Sequence, residues 1–183
     1  MKIAFLTRKS PYDKRSWSGA FFSIYEKLRI NNYVEWVRPL DRGIGYKLIL
    51  TFLANWYKYT NGKKLNIVNE IYATSTISSI TKELNKNEYD IIFAAASPEL
   101  IANLETRIPV LYFLDATFKQ LAINYPSYSN LPKWNFKQGL KVEKAALHRA
   151  DHIVVSSLWT KNSIIEDFHI NPKKYPFLGL VPI

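Results

Sequence analysis

The segment His152-Ile153-Val154-Val155-Ser156 constrains this chain more than any other, because helix-forming sequence flanks it on both sides. It is short, β-branched and apolar without alternation, the pattern of a strand covered on both faces of a sheet. The helix before it ends in Ala150-Asp151. Ser156 and Ser157 follow it and can cap the next helix, whose apolar positions include Leu158, Ile164, Ile165 and Phe168. Asn171-Pro172 stops that helix, since a residue before proline avoids the α region. This is a βα unit with a polar corner, and ligands of open α/β sheets bind at such corners.

Similar runs recur near residues 2–7, 33–37, 90–96 and 109–114, with a further one at 176–181. The first run, the polar loop from Arg8 to Ser18, a helix from Gly19 to Ile30 and the run at 33–37 form a βαβ opening with a right-handed crossover. Phe22, Ile24, Tyr25 and Leu28 mark the buried side of its helix. Another helix is predicted from Ile71 to Asn85, and a short one with a capping-type start from Glu99 to Leu104. Thr117 to Trp134 reads as a long, aromatic, cleft-lining excursion. The sum predicts an α/β fold: a single Rossmann-like, three-layer αβα domain over residues 1–183 with a mainly parallel sheet. Its strand ends bring Thr7-Arg8, Ser97, Asp115 and Ser156-Ser157 onto one rim, which is the predicted site.

Composition narrows the chemistry. There is no cysteine, which removes disulfides and thiolate metal sites and suits a reducing, cytoplasmic setting. No apolar run reaches the ~20 residues that span a bilayer. Met1 to Thr7 reads as a strand and not as a secretory signal. The net charge of +10 points to a partner bearing phosphate or another anion, such as a nucleotide, an anionic lipid or a charged glycan. Nucleic acid is disfavoured because no recognised binding motif is present.

Residues 43–64 hold the densest apolar and aromatic helix, with Tyr46, Leu48, Ile49, Leu50, Phe52, Leu53, Trp56 and Tyr57 among lysines at 47, 58, 63 and 64. Two readings fit it. One is an ordinary core helix of the sheet, the commoner use of such a segment. The other is peripheral contact with an anionic membrane through residues 46–64, aromatics entering the surface and lysines meeting headgroups. Asn61-Gly62 supplies the stop.

Between Thr7 and Ile30 Gly19 is the only glycine, so the three-glycine dinucleotide fingerprint is absent. Gly19 either makes a tight turn or lets a ligand approach a helix N-terminus. Asp115 is the sharpest catalytic candidate: a carboxylate at a strand end can accept a substrate hydroxyl or orient a neighbour. It could also cap the following helix through Asp-Ala-Thr-Phe. Arg8, Lys9, Lys14 and Arg15 could hold a phosphate or form a solvated loop. His148, His152 and His169 have no metal-site spacing and there is no nucleophile elbow, so no protein-bound metal is expected.

The set of motifs carries a resemblance. Ala146-Leu147, Ala150-Asp151, Ser157 with Trp159, and Pro172 with Lys174 resemble the end of the N-terminal domain of family 4 glycosyltransferases, which have the two-domain GT-B fold. Leu114-Asp115-Ala116-Thr117-Phe118, Tyr125-Pro126 and Tyr128-Ser129-Asn130-Leu131 resemble a "DATF…YP-x-YS-x-L" subgroup of that family. Trp17-Ser18-Gly19 resembles the glycine-bearing loop after its first strand. These motifs cover most of the chain in the family's order.

The resemblance implies a retaining, metal-independent transfer of a sugar from a nucleotide-sugar co-substrate, with no cofactor, to a hydroxyl of a glycan or lipid-linked acceptor. Together with the rim of strand ends, it implies a catalytic Asp115 and a cleft holding Arg8, Trp17, Ser18, Gly19, Ser97, Thr117, Tyr125, Ser156, Ser157 and Trp159. In the family the donor sits mainly on a second Rossmann-like domain carrying a Glu-x7-Glu motif, which these residues do not include. The chain is therefore expected to be the acceptor-binding N-terminal half, with little or no transferase activity alone. Many relatives carry a His-Asp pair where this chain reads Leu114-Asp115, so that histidine's role is not implied. Relatives also continue into a Pro-x-Gly-Ala-Asn-like loop where this chain reads Phe177-Leu178-Gly179. The alternative is a stand-alone basic α/β module for an anionic polymer, nucleic acid or a membrane surface.

Overall fold

A computed structural model describes residues 1–39, 43–66, 70–171 and 177–179. Among these, six strands form one sheet: β1 (Lys2–Leu6), β2 (Tyr33–Val37), β3 (Ile91–Ala95), β4 (Val110–Leu114), β5 (His152–Val155) and β6 (Phe177–Gly179). Their order is β2-β1-β3-β4-β5-β6, and every pair is parallel. The fold is therefore α/β and Rossmann-like, with the chain reversing its direction of travel between β1 and β3. Phe5 stands opposite Phe93 across that junction, their rings stacked at 5.6 Å.

Both sheet faces are covered, which is why the strands show no polar alternation. Ala4, Leu6, Ile92, Ala94, Tyr112, Leu114, Ile153 and Val155 pack on one face against helices α3 (Glu70–Leu84), α5 (Lys133–Arg149) and α6 (Leu158–Phe168). Their main contributions are Ile80 and Leu84, Ala146 and Leu147, and Ile164 and Phe168. Ile3, Phe5, Val34, Ala95, Phe113 and Val154 form the other face, against Phe21 and Tyr25 of α1 (Ala20–Arg29). Adjacent strand residues thus enter opposite layers, as the pleat requires.

Local signals set the joints. Ser157 caps α6, its Oγ accepting from Thr160 N at 3.2 Å. Thr117 caps α4 (Phe118–Asn124) in a reciprocal capping box with Gln120. Asp115 is therefore not the cap of that helix; the cap lies two residues later. Four details differ from the sequence expectation. The segment 99–104 is a single 3-10 turn, Pro98–Leu100, with no side-chain cap from Ser97, because Ser97 Oγ is engaged elsewhere. The excursion from Thr117 to Trp134 contains α4 and the start of α5. Phe22 is half-buried and lies over Lys14, so Phe21 replaces it on the buried side of α1. The helix α2 (Gly43–Asn61) is no core helix, since Leu48, Ile49, Phe52, Leu53, Trp56 and Tyr59 are all exposed. Part of the Asn171-Pro172 stop, the Pro172–Lys174 motif and half of 176–181 lie outside the described residues.

Candidate functional site

A cleft of about 780 Å³ opens at the C-terminal ends of the strands, beside the β1–β3 reversal. Open α/β sheets place ligands there, because neighbouring connections leave on opposite faces and part. The loop after β1 contributes Arg8 and Lys9, and the turn before α1 contributes Trp17 and Ser18. Ala96, Ser97 and Glu99 follow β3, Asp115 and Ala116 follow β4, and Ser156 follows β5. Tyr125 and Tyr128 line one side, and Gly139, Val142 and Glu143 of α5 complete the wall.

The junction of Trp17 and Asp115 is the most built feature of this cleft. Trp17 Nε1 donates to Asp115 Oδ2 at 3.0 Å across 98 positions of sequence. The indole packs on Phe21 at 4.9 Å and on Phe113 at 5.6 Å. Its backbone is left-handed (φ 51°), as are Ser18 (φ 52°) and Gly19 (φ 84°). For a residue with a Cβ that conformation costs ~1–2 kcal/mol, so Trp17 and Ser18 keep it only where surrounding contacts hold them, while Gly19 adopts it freely. Ser97 Oγ, fully buried, accepts from Arg8 N at 3.1 Å and ties the ends of β1 and β3 together. Ala96, also left-handed (φ 43°), starts the turn into this tie. The hydroxyl of Thr160 donates to the Asp115 carbonyl and fixes the other side of the carboxylate's backbone.

Beneath the cleft lies a buried polar cluster that sequence reading missed. Glu143, on α5, accepts from Tyr112 Oη at 2.9 Å and from Phe118 N at 3.1 Å, joining α5, β4 and α4. Burial lifts its carboxyl from 4.5 to about 7, while those two donors pull it down. Glu99 is likewise raised by burial, with Arg8 Nε 3.8 Å away opposing the shift. Tyr112 is pushed well above its ordinary range by burial and by Glu143. A signal for Glu143 did exist: it shares a helix face with buried Ala146 and Leu147, where a charge needs partners. Glu99 had no comparable mark.

The predicted residues divide in two. Arg8, Trp17, Ser18, Ser97, Asp115, Tyr125 and Ser156 all border the cleft. Gly19, Thr117, Ser157 and Trp159 do not. Gly19 is the left-handed N-cap residue of α1, Thr117 and Ser157 spend their hydroxyls on helix caps, and Trp159 is half exposed on α6 with its carbonyl accepting from Gln120. Lys14 and Arg15 lie on the exposed approach, where Arg15 pairs with Asp13 and Lys14 covers the Phe22 ring. His148, His152 and His169 sit on α5, on β5 and at the α6 C-cap. Among the described residues no group of three His, Cys, Asp or Glu could hold a metal ion, and no helix is long and apolar enough to cross a membrane. No protein-family profile and no curated protein matches the chain.

Chemically, the arrangement offers one exposed carboxylate steered by an indole, aromatic faces, and cationic side chains at the mouth. That combination suits a polyhydroxylated ligand: the carboxylate takes a hydroxyl and aromatic rings take its apolar face.

Proposed function

We propose that this chain is the acceptor-binding half of a retaining glycosyltransferase of the GT-B kind resembling family 4. It would act in the cytoplasm, pass a sugar from a nucleotide-sugar donor to a hydroxyl of a glycan or lipid-linked acceptor, and use no protein-bound metal. The observation that carries the reading is the Trp17–Asp115 junction. Two motifs of that family resemblance, far apart in sequence, lie in one cleft at the reversal of the sheet and are joined by a hydrogen bond of 3.0 Å. Asp115 accepts the acceptor hydroxyl and Trp17 fixes the carboxylate's orientation. Arg8 and Lys9 at the mouth attract the donor's phosphates, and a second domain supplies most of the donor site. Stabilisation of the departing phosphate is usually the largest catalytic contribution, so this half alone turns over little or nothing.

The test uses the isotope-labelled chain and the indole N–H resonance of Trp17. Titration with neutral oligosaccharides and with a nucleoside diphosphate should move that resonance, saccharides more strongly than the nucleotide. Asp115→Asn should weaken saccharide binding about tenfold, the loss of a charge-assisted hydrogen bond. A resonance unmoved by any saccharide, together with salt-sensitive binding to random DNA, would replace this reading with that of a basic nucleic-acid module.

A further inference from the structure

The helix α2 carries a surface that the cleft does not explain. Leu48, Ile49, Phe52, Trp56 and Tyr59 are 63, 60, 65, 56 and 83% exposed, and Leu53 adds 40%. They recur at spacings of three and four residues, so they form one outward stripe. The opposite side, Leu50, Ala54 and Tyr57, is half-buried and faces the body, with Tyr57 edge-on to Trp134 at 5.9 Å. Phe52 and Trp56 stack on each other within the stripe, at 6.3 Å. A continuous apolar patch of this kind on a domain surface marks a docking site.

We propose that α2 is a membrane-surface helix whose outward stripe enters the interface of an anionic bilayer. Charge chooses this occupant. Residues 43–66 contain lysines at 47, 58, 63 and 64 and no acidic residue, within a chain of net charge +10. Aliphatic side chains mixed with Trp and Tyr and flanked by lysine are the composition of helices lying in the headgroup layer. A second copy fits worse, because pairing this face would bring two strongly cationic chains together. The helix is not apolar enough to cross the bilayer, so it lies on it.

The placement of the helix gives the docking a consequence for the cleft. Lys64 N donates to Asn130 O at 3.0 Å, Asn130 Nδ2 to Gly62 O at 2.7 Å, and Lys64 Nζ to Pro126 O. The end of α2 is thereby pinned to the segment that carries Tyr125 and Tyr128 on the cleft wall. A bilayer under α2 lies beside the cleft mouth. Resting on the transferase reading, this identifies the acceptor class as lipid-linked, entering from the headgroup layer.

The experiment is co-sedimentation of the whole chain with vesicles of phosphatidylcholine alone or containing phosphatidylglycerol. The chain lacks cysteine, so Phe52→Cys can be labelled uniquely with an environment-sensitive fluorophore. Expected are binding to the anionic vesicles, a blue shift of the label only when lipid is added, and partition weakened at least about tenfold by Phe52→Ser with Trp56→Ser. Lys58→Glu, which leaves the apolar stripe intact, should lower binding to anionic vesicles alone. No binding to anionic vesicles would overturn the proposal, as would undiminished partition of the double variant. A label shift without lipid, accompanied by a dimer mass in sedimentation velocity, would assign the stripe to a second copy instead. Asp115→Asn keeps α2 unchanged, so it should bind vesicles as wild type does. In the wild-type chain, vesicle binding without saccharide binding therefore counts against the transferase reading alone, and saccharide binding without vesicle binding against the membrane helix alone.

Discussion

Replacing Glu143 by glutamine should remove a pH dependence that the folded chain owes to one buried carboxyl. Glu143 is 3% exposed, and burial raises it from 4.5 to about 7. Unfolding returns it to the ordinary value, so between those two pH values the native chain keeps a proton that the unfolded chain has lost. The stability linked to Glu143 is therefore complete below pH 4.5, declines as pH rises, and levels off above about 7. At 1.36 kcal/mol per unit, the full decline is about 3 kcal/mol. Glutamine keeps the size and can still accept from Phe118 N while its amide donates to Tyr112 Oη, but it carries no proton to lose. Glu99, raised in the same direction, adds a slope of the same sign in both proteins. The quantity to measure is thus the difference between wild type and Glu143→Gln in urea unfolding, taken at steps from below pH 4.5 to above pH 7. Parallel curves would refute the reasoning, because they would mean that native Glu143 titrates as it does in the unfolded chain.

Two further substitutions probe the packing that shapes the cleft. A Cβ on Gly139 would lie 2.2 Å from the Phe118 ring, so Gly139→Ala should destabilise by about 1–3 kcal/mol, read as a lower unfolding temperature. Ser157→Ala removes the α6 cap and should cost about 0.5–2 kcal/mol in urea unfolding with little effect on saccharide binding, since Ser157 does not border the cleft.

The strands were legible because burial on both faces leaves an unmistakable mark: Ile153, Val154 and Val155 need no partner identified to read as a covered strand. The corner after β5 was legible for a related reason, since Ser157 acts on an amide three residues away. The corner after β4 was not, since the sequence offered Asp115 as the cap where Thr117 serves. The competing roles of Asp115 as cap and as cleft carboxylate could not be separated from neighbouring letters. The indole of Trp17, brought in from 98 positions away, decided it.

What the sequence by itself determined, then, is the α/β class, the parallel strands and the rim where they end, because periodicity and capping are short-range. Tertiary structure alone decided which polar groups would be buried together. Glu143 meets Tyr112 and Phe118 only once α5 crosses β4, and its raised carboxyl is a property of that crossing. It also decided the fate of α2. Apolar side chains are the same in a core and on an exposed surface, and only the direction in which the helix is turned from the body separates the two.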